Sequence, residues 1–184
     1  MKIAFLDIET TKLEADNGLG FILCASMKLA GDNPIYTTRI DSTPGYTNNL
    51  YNDTKVLDDI YDWLEKKSPS VVVHFNGDYF DIPYINTRRL GAGKKPLPPY
   101  RYIDHWKTSR YKLRLRSHSM IVLAEHLKCK FKKTYYSPEI WQKAAYGDKK
   151  SLNLIVHHCE LDILILEEIH NKVMPILRSL KNIC

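Results

Sequence analysis

No apolar run in this 184-residue chain approaches the roughly 20 residues that a membrane-spanning helix needs, so no membrane association is expected. The N-terminal stretch Met1-Lys2-Ile3-Ala4-Phe5-Leu6-Asp7 places an acid inside its apolar run and lacks a small-residue cleavage pattern. A secretory signal is therefore not expected, and the cytoplasm, or the host cytoplasm for a viral protein, is the expected compartment. Cysteine is sparse: Cys24, Cys129, Cys159 and Cys184 form no C-x-x-C pair, which disfavours a zinc knuckle, a redox motif or a disulfide framework. There is no internal repeat and no low-complexity linker, only short turn clusters and the stretch Gly91 to Pro99, which reads as a mobile loop. The length suits one domain over residues 1–184 with a proper core.

Acidic residues are missing from one region in particular. Residues 88 to 133 hold 14 Lys/Arg against two acids, Asp104 and Glu125, a surplus of +12 that leaves −6 for the rest of a chain whose net charge is +6. Such separation creates a local positive field that attracts a polyanion, and nucleic acid, bound through its phosphates, competes here with the plainer reading of a solvated lysine-rich face. Within the region Arg110, Lys112, Arg114 and Arg116 alternate with Tyr111, Leu113 and Leu115. If extended, that alternation places four cations on one side, along which a single strand could run, with Tyr102, Trp106 and Tyr111 as candidates for base stacking or for core packing.

Periodicity divides the chain into elements. Residues 2–8, 20–27 and 35–40 read as strands, and 54–66, with Val56, Leu57, Ile60, Tyr61 and Leu64 apolar, reads as an amphipathic helix. Residues 70–75 form a short buried-strand pattern, 80–90 a helix that tolerates Pro83 in its first turn, and 101–104 another strand. Helices then follow at 119–127, at 138–145 and from 152 to about 180, the last with Pro175 as a candidate bend. The order implies an α/β sheet with helices on both faces.

Three acidic signals stand out. In Ile3-Ala4-Phe5-Leu6-Asp7-Ile8-Glu9-Thr10-Thr11 the two-residue period of a strand turns Asp7 and Glu9 to the same face. Paired carboxylates set in an apolar strand repel and lose hydration, a cost that a cation between them would relieve; a Glu9 beyond the strand end, in solvent, is the plainer alternative. In Asn76-Gly77-Asp78-Tyr79-Phe80-Asp81-Ile82-Pro83-Tyr84, Asp81 sits where a loop enters a helix, the place of an ordinary N-cap. In His157-His158-Cys159-Glu160-Leu161-Asp162-Ile163-Leu164 an acid interrupts a markedly apolar helix, so Asp162 either pairs or binds something. His158 lies one turn before it on the same face.

Taken together the three segments resemble the Exo I, Exo II and Exo III motifs of the DEDD (DnaQ-like) 3'-to-5' exonuclease superfamily. Asp7-Ile8-Glu9-Thr10-Thr11 is similar to the D-x-E-T-T opening, and Asn76 to Asp81 to the N-x-x-x-F-D segment of the exonuclease domains of B-family DNA polymerases. Ser117-His118-Ser119-Met120, leading into Leu123 to Leu127, resembles the stretch that joins the second and third motifs there. The third motif of the superfamily carries a Tyr four residues before the last Asp or a His five before it, and here both places are histidine. Helical geometry favours His158, whereas a loop conformation at 157 would favour His157.

The resemblance implies an RNase H-like fold, a central mixed five-stranded sheet flanked by helices. It implies that Asp7, Glu9, Asp81 and Asp162 hold two divalent cations, Mg2+ or Mn2+, with one of the two histidines as general base. Hydrolysis at 3' ends of DNA, releasing 5'-mononucleotides, would follow. By the same resemblance Thr10, Thr11 and Leu13 contact the terminal nucleotide, and Asn76 and Phe80 line the approaching strand. No polymerase domain accompanies these motifs, so a free-standing enzyme preferring single-stranded DNA is the expectation. An exoribonuclease on the same fold and a non-catalytic nucleic-acid-binding module are the alternatives.

Overall fold

Five stretches become strands: β1 (Ile3–Thr10), β2 (Ile22–Leu29), β3 (Tyr36–Arg39), β4 (Val71–His74) and β5 (Arg101–Asp104). The computed structural model describes residues 1–16, 18–32 and 34–178. In it the strands form one mixed sheet in the order β3-β2-β1-β4-β5. β1 is central, antiparallel to β2 and parallel to β4, while β3 and β5 extend the two sides. β1 runs past the expected end at residue 8 and carries Glu9 within the ladder opposite Cys24, before a register shift between Glu9 and Thr10. Glu9 therefore does not trail into solvent.

The helices are α1 (Thr54–Lys67), α2 (Asp81–Gly91), α3 (His105–Lys112), α4 (Met120–His126), α5 (Pro138–Ala145) and α6 (Lys149–Arg178). The pleat of β1 sorts its side chains between two layers. Leu6 and Ile8 share a cluster with Val56, Leu57, Ile60 and Leu64 of α1 and Tyr84 and Ile85 of α2. Phe5 packs instead with Val71, Val73 and, from α6, Ile163 and Leu166. Asp7 and Glu9, two and four residues beyond Phe5, consequently face α6, and the same alternation that builds the core aims them at Asp162. No helix among the described residues is long and apolar enough to cross a membrane.

Three expectations are corrected. Residues 105–112 form α3 because Asp104 caps it, accepting from the backbone N–H groups of Trp106 and Lys107. Arg110 and Lys112 are thus helical, and the extended alternation survives only beyond Lys112, where Leu113 and Leu115 turn to a cluster around Met120, Leu123 and Ile165 while Arg114 and Arg116 are exposed. The stretch 91–99 is fastened rather than loose. Leu97 is buried and its N–H donates to Asn86 Oδ1 (2.8 Å), Arg89 Nε donates to the Lys95 carbonyl (2.6 Å), and Lys94 pairs with Asp58 (2.8 Å). Finally, α6 begins at Lys149 and continues through Pro175; the expected end near residue 180 lies outside the described residues.

Part of the basic region is neutralised inside the fold. Arg88 pairs with Asp53, Lys107 with Asp78 and Lys133 with Asp162. Asp53 is nearly sealed from solvent and accepts from Ile22 N–H (2.9 Å) and from both Nε and Nη2 of Arg88 (3.0 and 2.7 Å), tying β2 to α2. Removing one partner of such a pair strands the other charge, so Asp53→Ala is expected to lower stability by about 3 kcal/mol. Urea unfolding checks this, with a lower midpoint at unchanged slope.

Candidate active site

Three chain segments meet at the C-terminal end of β1. β1 supplies Asp7 and Glu9, the first turn of α2 supplies Asp81, and the middle of α6 supplies Asp162 and His158. Asp81 is not the N-cap, which is Phe80; its Oδ1 accepts from the backbone N–H of Ile8 (3.1 Å), between the two β1 acids. α6 is held against the same strand where the Cys159 thiol donates to the Asp7 carbonyl (3.5 Å). His158 Nε2 lies 3.6 Å from Glu9 Oε1 and 3.9 Å from Asp162 Oδ2, and one ligand atom from each of these three residues lies within 4.8 Å of the others. Lys133 reaches into the cluster to pair with Asp162, and its neighbour Thr134 contacts His158 Nδ1 through its hydroxyl (2.5 Å).

The electrostatics are those of crowded acids out of water. Burial raises the pKa of Asp7, with Lys133 opposing. Burial, then repulsion from Asp7, holds Glu9 and Asp81 well above the ordinary carboxylate range. Asp7 Oδ2 and Asp162 Oδ1 are buried without a hydrogen-bond partner, an expense that buried oxygens rarely bear. Hard oxygen atoms, crowded and unsatisfied, fit a divalent cation, which would complete both orphaned acceptors. His158 is pushed the other way, to about 4, by burial and then by the charges of Lys133 and His157. It is therefore neutral at pH 7.

Comparison with known proteins bears on this arrangement. A family model, RNase_H_2 of the RNase_H superfamily, matches residues 4–174. The chain belongs to the RNase H superfamily. A DNA polymerase of Thermococcus litoralis is 29% identical over 94 residues, which are 50% of this chain and 6% of that protein. The family B DNA polymerase of the hyperthermophilic archaeon Pyrobaculum calidifontis superposes with a TM-score of 0.78 at 15% identity, over 96% of this chain and 25% of that one. The chain thus spans a small part of the length of either protein. The RNase H-like fold and the resemblance to DEDD exonucleases hold, and they support nuclease activity.

In this RNase H superfamily member a pocket of about 950 Å³ opens beside Glu9. Thr10, Thr11, Leu13 and Phe80 line it, together with Lys12 and an aromatic wall that includes Tyr135, Tyr136 and Trp141. Asn76 does not line it; its backbone turns into the left-handed region (φ 63°) and its N–H donates to Asp104 (2.9 Å). Of the two histidines the structure brings His158 into the cluster and leaves His157 exposed. Arg110, Lys112, Arg114 and Arg116 are exposed away from the pocket lining, and Arg116 pairs with Glu125 (3.1 Å).

Lys133, Thr134 and Trp141 escaped the sequence reading. Lys133 was hidden in a run of cations, and Trp141 reads as the apolar face of α5, although it lines the pocket beside Glu9 and meets His158 edge-on (5.6 Å, 84°). Only the folded arrangement separates these from ordinary surface and core residues.

The raised carboxyls have a consequence for stability. A carboxyl whose folded pKa exceeds its unfolded value makes the fold lose stability as pH rises from the unfolded value, 3.8 for Asp81, through the folded one. In EDTA, Asp81→Asn is therefore expected to gain stability relative to the wild type as pH rises from about 4 to 7. Added Mn2+ should reverse the order by stabilising the wild type alone, as read by thermal melting across that range.

Proposed function

We propose that this chain is a 3'-to-5' exonuclease that hydrolyses the terminal phosphodiester bond of DNA, single strands preferred, and releases 5'-mononucleotides. The observation that carries the reading is the meeting of four buried or half-buried carboxylates and a neutral histidine beside a pocket that Glu9 lines and that carries an aromatic wall. Both relatives reported above are DNA polymerases, which favours DNA over RNA.

Asp7, Glu9, Asp81 and Asp162 would hold two divalent cations, Mg2+ or Mn2+. When bound, such ions supply Lewis acidity, offsetting charge on the phosphate and lowering the pKa of the attacking water. The chain's own groups do the rest. Tyr136 and Trp141 pack around His158 (ring centroids 5.9 and 5.6 Å), and the Thr134 hydroxyl fixes its Nδ1. With a proton on Nδ1 donated to Thr134, Nε2 remains an acceptor aimed at Glu9 and Asp162, placed to take the proton of the attacking water. Lys133, which pairs with Asp162 at the edge of the cluster, would offer its ammonium to a phosphate oxygen.

The pocket supports an unstacked end as substrate. Tyr135 and Tyr146 line it with well-exposed rings, Tyr51 and Phe80 stand in the same lining, and base-on-aromatic stacking is worth about 1–3 kcal/mol per base. A base inside a duplex is covered on both faces and must be unpaired and unstacked before it can enter such a pocket. Beyond the pocket, the exposed Arg110, Lys112 and Arg114, for which no ion pair appears among the described residues, supply phosphate contacts for strand bound upstream.

Digestion of a 5'-labelled single-stranded DNA tests the reading. Mg2+ should give a ladder shortening from the 3' end, abolished by EDTA and slowed more than about a thousandfold by Asp81→Ala. His158→Ala should cost about 10²- to 10⁴-fold, and His157→Ala should leave the rate close to wild type. Trimming of RNA of the same sequence with the DNA left intact would transfer the reading to an exoribonuclease, and binding without cleavage of either would remove catalysis from it.

A further inference from the structure

A second group of metal-competent side chains lies behind the loop that delivers Phe80 and Asp81. His74, at the end of β4, is fully buried and neither ring nitrogen makes a hydrogen bond. Its Nε2 faces Asp78 Oδ1 at 3.3 Å and its Nδ1 faces Asp104 Oδ2 at 3.7 Å, and one ligand atom from each of the three residues lies within 4.8 Å of the others. The ring has no freedom to withdraw: a Cβ on Gly77 would stand 2.5 Å from His74 Cγ, so the loop backbone presses against it, and Tyr102 tilts over it at 5.5 Å.

The distances discriminate between two accounts of this cluster. An imidazolium clamped between two carboxylates would form charge-assisted hydrogen bonds of about 2.7–2.9 Å, shorter than either separation found. Two ligands on a tetrahedral zinc, with bonds of about 2.0–2.2 Å, stand roughly 3.3 Å apart. The Nε2 to Asp78 Oδ1 separation has that value. One imidazole ligates an ion through one nitrogen, so Nε2 is the ligand atom, and Asp104 Oδ2, 3.7 Å from Nδ1 and accepting from the Asp78 N–H (3.3 Å), would have to close in as the third ligand.

The remaining oxygens are committed elsewhere. Asp104 Oδ1 accepts from the N–H groups of Asn76 and Trp106 (2.9 Å each), and Asp78 Oδ2 accepts from Lys107 (2.6 Å). Lys107 therefore does not occupy the Asp78 oxygen that faces His74. Two carboxylates, one ammonium and a neutral imidazole leave one net negative charge, which still attracts a dication.

We infer that His74, Asp78 and Asp104 form a structural site for a borderline transition-metal dication, Zn2+ first, distinct from the carboxylate cluster at Asp7. Imidazole in the ligand set favours zinc over magnesium or manganese. A metal there locks the turn from Asn76 to Phe80 onto β4 and β5, and so braces the start of α2 from which Asp81 projects. The site stands whether or not the chain is a nuclease.

The test uses the full chain carrying Asp7→Asn and Asp162→Asn, which removes ligands of the other cluster. This protein is equilibrated with Zn2+ and dialysed, retained zinc is counted by mass spectrometry, and Co2+ is titrated with visible absorption as a second readout. One equivalent of zinc is expected, with at least a tenfold fall in affinity on adding His74→Gln or Asp78→Asn, and a melting temperature that zinc raises only where it is retained. Asp78 lies at the partly exposed rim, so Asp78→Asn decides the matter should His74→Gln fail to fold. Absence of retained zinc in the starting protein, or retention unchanged by Asp78→Asn, overturns the inference.

Discussion

Mutual repulsion among carboxylates that have been taken out of water is the constraint on which the active region depends. Asp7, Glu9 and Asp81 are all driven toward protonation by burial, and the last two also by Asp7. A fold selected for stability alone would have no reason to gather them. The sheet order makes the gathering unavoidable: central β1 turns its odd-numbered side chains to α6, and the parallel pairing of β4 with β1 returns the chain so that α2 starts beside Ile8. Lys133 supplies partial compensation from outside these elements, but it satisfies one oxygen of Asp162 while the other, and one of Asp7, stay orphaned.

The same neighbourhood combines two kinds of recognition that work against each other in water. Phosphate calls for cations, and the chain concentrates them between residues 88 and 133; bases call for apolar faces, and the pocket beside Glu9 supplies aromatic ones. Part of the positive surplus proves to be structural, since Arg88, Lys107 and Lys133 have buried or half-buried acid partners contributed by other elements. What is left for a ligand is Arg110, Lys112 and Arg114 at and after the end of α3, together with the exposed Lys95, Arg101, Lys128, Lys130 and Lys132, for which no ion pair appears among the described residues. Net charge alone overstates the attraction, because a charge paired inside the fold adds little to the field outside it.

The elements carrying the acids were legible because their periods are simple. Alternation fixed the shared face of Asp7 and Glu9, and an acid in the apolar run of α6 marked Asp162. The positions of His157 and His158 follow from the turn of a helix, since the four-residue spacing of His158 to Asp162 falls on one face and α6 is helical well before both. Where two local signals competed, alternation misled: the Arg110 to Arg116 pattern is truly two-residue, yet Asp104 starts a helix that carries its first half. Gly91 to Pro99 looked loose because its fastenings, Asn86, Asp58 and Arg89, come from elsewhere in the chain. Lys133 and the His74 group were illegible for the same reason, since their meaning lies in contacts across the sheet and not in spacing.

Crystals grown with Mn2+ and a nucleoside 5'-monophosphate, measured at the manganese absorption edge, test the central claim most directly. The account predicts anomalous peaks among Asp7, Glu9, Asp81 and Asp162, with the Lys133 ammonium drawn away from Asp162 and the nucleobase against the aromatic wall. No manganese at these carboxylates, with the Lys133 to Asp162 pair intact at saturating metal, would contradict it.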